Sequence, residues 1–368
     1  MKPRERVWLA LNHQQPDRCP LQLSFTPEFA ARVREVLGLP PDVHNHHGGG
    51  NTCALERAVG CDLLLTSVGW ANSYYAVERL SRDGLTYVDE WGVGWKVVEY
   101  ETRFGRGRYT EIVRHPLADE KLLDSYRPPD PERPELYVEA RRTVERFKDE
   151  YWVVGVVVTT IFETAWALRG LERTLLDMVV NPELVEKLFD IPFYYHSAVA
   201  KKLVEIGVDM IWLGDDVGAQ DRMLISPAHW RRFLKPRMAR LIADLKRLNP
   251  RLKIAYHSDG NIYPVIPDLI EIGVDVLNPV QPQSMDPVRL KKEFGDRLCF
   301  WGTVDLQYTL PFGSPQEVRA EVLERLRTVG RGGGLIISPT HNLQLDVPLE
   351  NFQALTETVL HTPYSQLD

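Results

Sequence analysis

Histidine and carboxylate side chains that could bind a metal follow several apolar runs of this 368-residue chain. His257 and Asp259 are two residues apart, so in an extended segment both side chains project to the same side. With His341 they supply two imidazoles and one carboxylate. This set suits Zn²⁺ with an open position or Fe²⁺ in a facial triad, and ligand type alone does not choose between them. The alternative is that residues 258–261 form a capped turn and that His257 is satisfied locally.

Other titratable residues occupy similar positions. Asp215 and Asp216 follow a separate apolar run, and two adjacent desolvated carboxylates raise each other's pKa. They are candidates for a general base, for partners of a substrate amine or for metal ligands, and a helix cap explains them equally well. His44, His46 and His47 precede three glycines and could add ligands at the same place, or belong to a surface loop.

Aromatic and amide side chains near the same positions could line a substrate pocket. The chain has 9 tryptophans, and four of them lie near predicted rim loops or strand ends: Trp70, Trp91, Trp166 and Trp212. They could form the walls of a pocket for a flat, partly apolar substrate, although core packing explains any single one equally well. The residues that we predict to contact substrate are Trp70, Trp91, Phe162, Trp166, Asn278, Gln281 and Asp305.

The scaffold that would bring these residues together is predicted from the apolar runs themselves. Most runs are followed by a polar or glycine-containing turn and a helix-length amphipathic segment, and continuous apolar runs suit parallel strands that helices bury on both faces. Eight such units predict an α/β fold, a single (β/α)8 TIM barrel in which the residues after each strand share one rim. The runs are residues 19–25, 62–66, 152–158, 209–213, 252–256, 275–278, 298–301 and 334–338.

One interval departs from the β/α pattern. Residues from about 70 to 116 are rich in Tyr, Trp, Val and alternating charges, which predicts an antiparallel β insertion after the second strand. The proline-rich residues 127–132 then mark a stiff connector. Because the sequence contains no long flexible linker and no repeat, residues 1–368 are predicted to form one domain.

Composition excludes several classes of protein. The chain has 44 Lys and Arg against 51 Asp and Glu, a formal charge of −7, which argues against a general binder of nucleic acid or anionic membranes. The most apolar stretch, residues 151–162, is far shorter than the roughly 20 residues that cross a bilayer. The N-terminus lacks the apolar region of a signal peptide. The four cysteines form no C-x-x-C pair, so we predict free thiols in a cytosolic protein.

Several motifs together resemble the uroporphyrinogen decarboxylase superfamily and, within it, the branch of cobalamin-dependent methyltransferases. The resemblance covers most of the chain. The motifs are RERV (4–7), LNHQQPDRCP (11–20), FETAW (162–166), LRG (168–170), GDD (214–216), HSDGN (257–261), FWGTVD (300–305), SPTH (338–341) and PLEN (348–351).

The resemblance implies a (β/α)8 barrel with its pocket at the carboxyl ends of the strands, and a homodimer. Uroporphyrinogen decarboxylases carry an arginine-rich motif after the first strand, where this chain has Leu-Ser-Phe-Thr-Pro at residues 23–27. They also place an essential Asp after the second strand, whereas residues 63–73 contain no acidic residue. A substrate with many carboxylates and pyrrole N–H groups needs such partners, which favours the methyltransferase branch.

In the methyltransferase branch, zinc is held by a His-x-Cys pair after the fifth strand and by a Cys in the last loop. The matching positions here are His257, Asp259 and His341, so both thiolates are replaced. The resemblance thus implies one divalent metal, with zinc as the first candidate, on nitrogen and oxygen ligands. Superfamily decarboxylases also place a histidine in the last loop, where it contacts substrate without a metal, so the role of His341 stays open.

The function that the resemblance implies is methyl transfer. A metal acting as a Lewis acid would serve a methoxy-, methylamine- or pterin-type partner, and a separate corrinoid protein would carry the methyl group. Asp215, Asp216 and Glu163 are the candidate catalytic residues. Two alternatives remain: a metal-free decarboxylase acting on a porphyrinogen-type tetrapyrrole, and a non-catalytic relative that binds a corrinoid or another ligand.

Overall fold

Seven of the eight apolar runs form neighbouring parallel strands in the computed structural model of the chain, which describes residues 1–42, 52–68, 78–79 and 81–367. Most residues of these strands are buried, as continuous apolar runs predict. The described strands are β1 (Leu63–Ser67), β2 (Glu78–Arg79), β3 (Thr86–Val88), β4 (Gly94–Thr102), β5 (Gly105–Arg114), β6 (Trp152–Val158), β7 (Met210–Gly214), β8 (Lys253–His257), β9 (Val276–Asn278), β10 (Cys299–Trp301) and β11 (Leu335–Ile336).

The parallel sheet has the order β1-β6-β7-β8-β9-β10-β11, which is also the chain order. The pairing of β7 with β8 places Gly214 beside His257, and the pairing of β8 with β9 places His257 beside Asn278. The carboxyl ends of three neighbouring strands therefore meet at His257.

The predicted strand at residues 19–25 is not a regular strand. It contacts the last strand region through isolated parallel bridges, from Leu21 to Ile337 and from Phe25 to Leu343. Pro20 has no N–H to donate, and the amide of Leu21 donates to the Asp62 carboxylate at 2.8 Å instead of to a neighbouring strand. The prediction of eight strands is therefore confirmed for seven, with this segment lying between the two edge strands of the sheet.

The predicted antiparallel insertion is confirmed in its described part, which forms the separate sheet β2-β3-β4-β5. The tip of its long hairpin reaches the loops of the parallel sheet, where Arg103 Nη2 donates to Pro311 O at 3.1 Å. The centroid of the Phe104 ring lies 4.5 Å from the guanidinium carbon of Arg32 and 4.6 Å from that of Arg103. The insertion thus packs against the carboxyl-end loops.

Helices connect the parallel strands. In the described part of the chain, no helix combines the length and the apolar character that crossing a bilayer requires. The α-helices are α1 (Pro3–Leu11), α2 (Pro27–Val36), α3 (Ala54–Ala58), α4 (Val138–Phe147), α5 (Phe162–Arg169), α6 (Leu171–Val180), α7 (Pro182–Ile206), α8 (Pro227–His229), α9 (Lys235–Leu248), α10 (Ile266–Glu271), α11 (Pro287–Phe294), α12 (Thr309–Phe312), α13 (Pro315–Thr328) and α14 (Leu349–His361). A π-helical turn covers Trp230–Leu234, and 3₁₀ turns cover Glu120–Ser125, Pro134–Tyr137, Tyr263–Val265 and Tyr364–Gln366.

The prediction that the cysteines form no disulfide is confirmed, because Cys19, Cys53, Cys61 and Cys299 are not cross-linked, and all four are buried. Burial raises the pKa of the Cys19 thiol and of the Cys299 thiol to about 12. Buried thiols of this kind are structural and unreactive.

The buried His196 on α7 makes folding sensitive to acid. Its side chain is 3% exposed, and its Nδ1 lies 2.8 Å from Thr160 O. Burial lowers the pKa of His196 in the folded protein to about 4. In the unfolded chain the pKa of this histidine is about 6.5, so between pH 6.5 and pH 4 the unfolded chain binds a proton that the folded protein does not bind. The contribution of neutral His196 to the free energy of unfolding is therefore complete above pH 6.5 and is lost as the pH falls towards 4.

We expect His196 to account for about 3 kcal/mol of acid destabilisation between pH 6.5 and pH 4. Urea unfolding of the metal-free protein and of a His196→Gln variant across this range measures the difference. The variant should be the less stable protein at pH 7, and its free energy of unfolding should fall less steeply on acidification. Parallel curves for the two proteins would contradict the assignment.

Candidate metal centre and active site

Asp216, His257 and Asp259 lie at the carboxyl ends of β7 and β8 and each offers one ligand atom, all within 4.8 Å of one another. The Asp259 amide donates to Asp216 Oδ1 at 2.8 Å, and His257 Nε2 lies 3.5 Å from the same oxygen. Ligand atoms that each lie about 2 Å from an ion come roughly this close to one another. The three side chains can therefore share one divalent cation.

Glycines let the two ligand-bearing loops approach this closely. A Cβ on Gly214, whose φ is +147°, would lie 2.1 Å from the His257 carbonyl oxygen. A Cβ on Gly218 would lie 2.4 Å from the Asp259 carbonyl oxygen. No side chain fits at either position, so close packing of the two loops requires glycine at both.

The orientation of the His257 ring is set by Asn278. Asn278 Nδ2 donates to the carbonyl oxygen of Trp301 at 3.0 Å, and a carbonyl can only accept, so the amide oxygen faces His257. His257 Nδ1 lies 2.7 Å from that oxygen and therefore carries the proton, which leaves the Nε2 lone pair facing Asp216. Two electron-rich atoms held this close need a proton or a cation between them, and metal-bound histidines are oriented in this way.

We expect an Asn278→Leu variant to bind Zn²⁺ roughly 10- to 100-fold more weakly, because the histidine loses its fixed tautomer. Competition with a chromophoric chelator measures the affinity. Asn351→Leu is the matched control, since Asn351 is also buried and its Nδ2 donates to two carbonyls, those of Leu310 and Gly313. The control should lose stability and keep wild-type affinity. Equal affinities in the two variants would refute the role of Asn278.

The Asp259 carboxyl group also fits a metal ligand. Its Oδ1 is buried and has no hydrogen-bond partner among the described residues. Burial raises the pKa of this carboxyl group, Asp216 raises it further, and His257 and His341 oppose the shift. An unpartnered buried acceptor is costly, and a cation would satisfy it.

His341, the third predicted ligand, lies outside this group of three. It is exposed, lines the same cavity as His257 and is close enough to affect the pKa of Asp259. Of the three predicted metal ligands, the structure thus brings His257 and Asp259 together, and Asp216 is the third member of the group instead of His341. The reason is topological: β7 and β8 are neighbours in the sheet, whereas β9 and β10 separate β8 from β11.

Asp215, predicted to be catalytic, has its oxygens occupied by the protein itself. The side chain is 1% exposed and accepts the amide protons of Ile161 and Glu163 at 3.0 Å, at the start of α5. Burial raises the pKa of the Asp215 carboxyl to about 7, although these amides oppose the shift. The geometry makes Asp215 a helix cap that fixes α5 against the metal centre.

Glu163 and Asp216, the other predicted catalytic residues, are brought together. Glu163 lies in the first turn of α5, and its Oε2 accepts the Asp216 amide proton at 3.0 Å. Burial raises the pKa of the Glu163 carboxyl well above its usual value, and Asp216 and Asp215 raise it further. A carboxyl group in this state donates a proton more readily than it accepts one.

The predicted substrate contacts have different outcomes. Asn278 lies at the site, but its amide is used to orient His257. Gln281 Oε1 accepts the amide of Gly260 at 2.7 Å and so braces the loop that carries Asp259. Asp305 is 4% exposed, and its Oδ1 accepts the amide of Gln307 at 2.7 Å.

The predicted aromatic contacts belong mainly to the core. Trp91 is 2% exposed and packs on Tyr195, with ring centroids 4.8 Å apart. Phe162 is fully buried against Phe189, and Trp166 is half-buried against the same core. The remaining predicted residues, Trp70, His44, His46 and His47, lie outside the described part of the chain.

The cavity beside the metal centre has a volume of about 60 Å³ and contains Trp212, which the sequence indicated as a possible pocket wall, together with Gln22 and Ser24, which it did not indicate. Trp212, on β7, contacts His257 edge-on at 5.5 Å and Trp301 at 4.6 Å between ring centroids. The polar residues at 22 and 24 alternate within an apolar run, which is a signal that could have identified them. The cavity is lined by Gln22, Ser24, Val158, Trp212, His257, Asn278, Ser338, Pro339, Thr340, His341 and Asn342.

Comparisons with known proteins agree with this architecture. The family model described as uroporphyrinogen decarboxylase (URO-D) matches residues 71–361. The methylcobamide:CoM methyltransferase MtaA of Methanosarcina barkeri is 29% identical over 177 residues, so the alignment spans 48% of this chain and about half, 49%, of that relative. A uroporphyrinogen decarboxylase of Psychromonas ingrahamii is 25% identical over 310 residues, 77% of this chain and 79% of the relative.

A solved structure shares the fold. A methyltransferase from Methanosarcina mazei superposes with a TM-score of 0.66 at 20% identity, over 97% of this chain and 98% of that one. The family-model match extends over most of the sequence, from the antiparallel insertion to the last long helix. The chain belongs to the uroporphyrinogen decarboxylase (URO-D) family.

Proposed function

We propose that this chain is a divalent-metal-dependent methyltransferase that moves a methyl group between a small methylated substrate and a corrinoid carried by a separate protein. The observation that carries the proposal is the group of Asp216, His257 and Asp259, with its histidine oriented by Asn278. The methylcobamide:CoM methyltransferase relative supports the corrinoid as methyl carrier. A homodimer stays a prediction from the family resemblance, and a cytosolic location stays a prediction from the cysteine pattern and the N-terminal sequence.

Zinc is the metal that we propose first, because one imidazole and two carboxylates leave an open position for substrate. When bound, a divalent cation supplies Lewis-acid polarisation of the heteroatom that gives up or accepts the methyl group. Because the group of Asp216, His257 and Asp259 contains no cysteine, the centre offers oxygen and nitrogen ligands only. Such a centre suits oxygen- or nitrogen-bearing substrates better than thiols.

The residues of the site have different roles, which are metal binding, orientation of a ligand and proton transfer. Asp216 and Asp259 would hold the cation, and Asn278 would keep the Nε2 lone pair of His257 directed at it. We assign proton transfer to Glu163, which lies against Asp216, because the oxygens of Asp215 already accept backbone amides.

The cavity favours a small substrate. A volume of about 60 Å³ holds roughly four to six water-sized groups. Among the described residues that line it there is no Lys or Arg. Among the described lining residues, a macrocycle with many carboxylates would find no cationic side chain to balance its charges.

A porphyrinogen decarboxylase is the second candidate, because the decarboxylase relative aligns over a larger part of the chain than the methyltransferase does. In that function the protein would act without a metal, and His341 and Asp216 would contact substrate.

One experiment separates the candidates. Zinc-loaded and chelator-treated protein are each incubated with cob(I)alamin and a panel of methoxy compounds, methylamines and methylpterins, and methylcobalamin formation is followed by absorbance. We expect methylation of the cobalamin that requires zinc. Metal-independent loss of CO₂ from a porphyrinogen, detected by mass, would establish the second candidate instead. Tight cobalamin binding without turnover of any substrate would indicate a non-catalytic relative.

A further inference from the structure

We propose that the inner end of the cavity binds the oxygen atom of a small neutral methyl ether or methyl alcohol. The inference rests on the proposed function, since it chooses one substrate class among the methoxy-, methylamine- and pterin-type compounds. It is drawn from a chain of hydrogen bonds that begins at Trp301, passes through Gln22 and ends at Ser24.

The direction of this chain follows from the chemistry of its first member. Trp301 Nε1 lies 3.2 Å from Gln22 Oε1, and an indole N–H can only donate, so the amide oxygen of Gln22 faces the tryptophan. The amide nitrogen of Gln22 then faces Ser24, where it donates to Oγ at 2.9 Å. Because the Ser24 oxygen accepts this bond, its own hydroxyl proton is left to donate.

The described residues provide no acceptor for that proton. Gln22 is 3% exposed, and both it and Ser24 line the cavity that also contains His257. Trp212, on the same cavity, has a buried Nε1 that likewise lacks a partner among the described residues. Ser338 differs, since its hydroxyl donates to the Pro339 carbonyl at 2.9 Å. Among the described residues, the half-buried Ser24 hydroxyl and the buried Trp212 indole have no acceptor, and the oxygen of a bound molecule would provide one.

The charge of the lining defines the class of that molecule. The two donors identified above are the Ser24 hydroxyl and the Trp212 indole, both neutral, and no Lys or Arg lies among the described lining residues. Because the Asp216 and Asp259 carboxylates would already neutralise a divalent cation held at His257, a further carboxylate would be desolvated here without a net counter-charge. A quaternary or protonated methylamine has no lone pair to accept a hydrogen bond. A neutral ether or alcohol oxygen carries no charge and has a lone pair that accepts a hydrogen bond. The cavity volume favours a molecule of a few heavy atoms.

The test compares two probes of similar size on the zinc-loaded full chain. The first, 2-methoxyethanol, carries neutral oxygen acceptors, and the second, tetramethylammonium, is a cation without one. Dissociation constants are obtained by saturation-transfer NMR for the wild type and for Ser24→Ala and Ser24→Thr variants. We expect the wild type to prefer 2-methoxyethanol, the Ser24→Ala variant to bind it about tenfold more weakly, and the Ser24→Thr variant, which keeps a hydroxyl, to retain the affinity.

The outcomes separate this inference from the proposed function. Tetramethylammonium binding should be the same in all three proteins, which shows that the cavity is intact. Stronger binding of tetramethylammonium than of 2-methoxyethanol, no binding of 2-methoxyethanol, or equal affinities in the wild type and the Ser24→Ala variant would overturn the inference. Zinc affinity is measured on the same samples. Its absence in the wild type would overturn the metal centre, while the probe preference of the metal-free protein would still decide the substrate class.

Discussion

An Asp216→Asn variant is expected to bind Zn²⁺ more than about 100-fold more weakly than the wild-type protein, a larger loss than changing a residue that only orients a ligand. The substitution removes a negative charge from the group of three ligands. The asparagine oxygen can still accept the Asp259 amide proton, so the loop should keep its shape. Competition with a chromophoric chelator at pH 7 measures the affinity, and circular dichroism checks the fold.

Two further variants make the result specific. Asp221→Asn removes the same charge from the same loop, but Asp221 is exposed and lies outside the ligand group, so wild-type affinity is expected. His341→Ala tests the ligand that the sequence indicated, and we expect it to weaken zinc binding less than Asp216→Asn does. If His341→Ala abolished binding and Asp216→Asn left it unchanged, the metal centre would be the one predicted from the motifs instead of the one described here.

The fold was largely predictable because burial on both faces leaves a clear record in sequence. Seven apolar runs became parallel strands in the expected order, and the composition of residues 70–116 indicated the antiparallel insertion. The segment at residues 19–25 had the same apolar character. It forms only isolated bridges, because Pro20 lacks a donor and the Asp62 side chain takes the amide of Leu21. A side chain distant in sequence decided that local structure.

The candidate site was less predictable, because residues that are adjacent in sequence direct their side chains at different groups. Asp215 and Asp216 are adjacent, but the first faces the amides at the start of α5 and the second faces His257. Nothing in an Asp-Asp pair shows which side chain turns which way. Proximity to a strand end likewise suggested that Trp91 contacts substrate, whereas its ring packs against Tyr195 in the core. Only the packing of the elements decides between these positions.

The second large effect is expected at the seam where the two edges of the parallel sheet meet the segment at residues 19–25. Asp62 is fully buried there and accepts hydrogen bonds from Arg6 Nη1 at 2.6 Å, Arg18 Nη1 at 2.7 Å and the Leu21 amide at 2.8 Å. An Asp62→Asn variant keeps the volume of the side chain but removes its charge and turns one acceptor into a donor. Arg6, which is 6% exposed, then loses a buried partner.

Breaking a buried ion pair from one side leaves an uncompensated charge, so we expect the Asp62→Asn variant to lose about 3–5 kcal/mol of unfolding free energy. Asp17→Asn is the matched control, because Asp17 pairs with the same Arg6 at 2.6 Å but its side chain is 41% exposed. Water screens that pair, and a loss of about 1 kcal/mol or less is expected. Urea unfolding gives both values, and hydrogen exchange at the Leu21 amide should accelerate only in the Asp62→Asn variant. Equal losses in the two variants would show that the seam is not held by the buried carboxylate, since Asp62 differs from Asp17 both in its burial and in its additional bonds to Arg18 and the Leu21 amide.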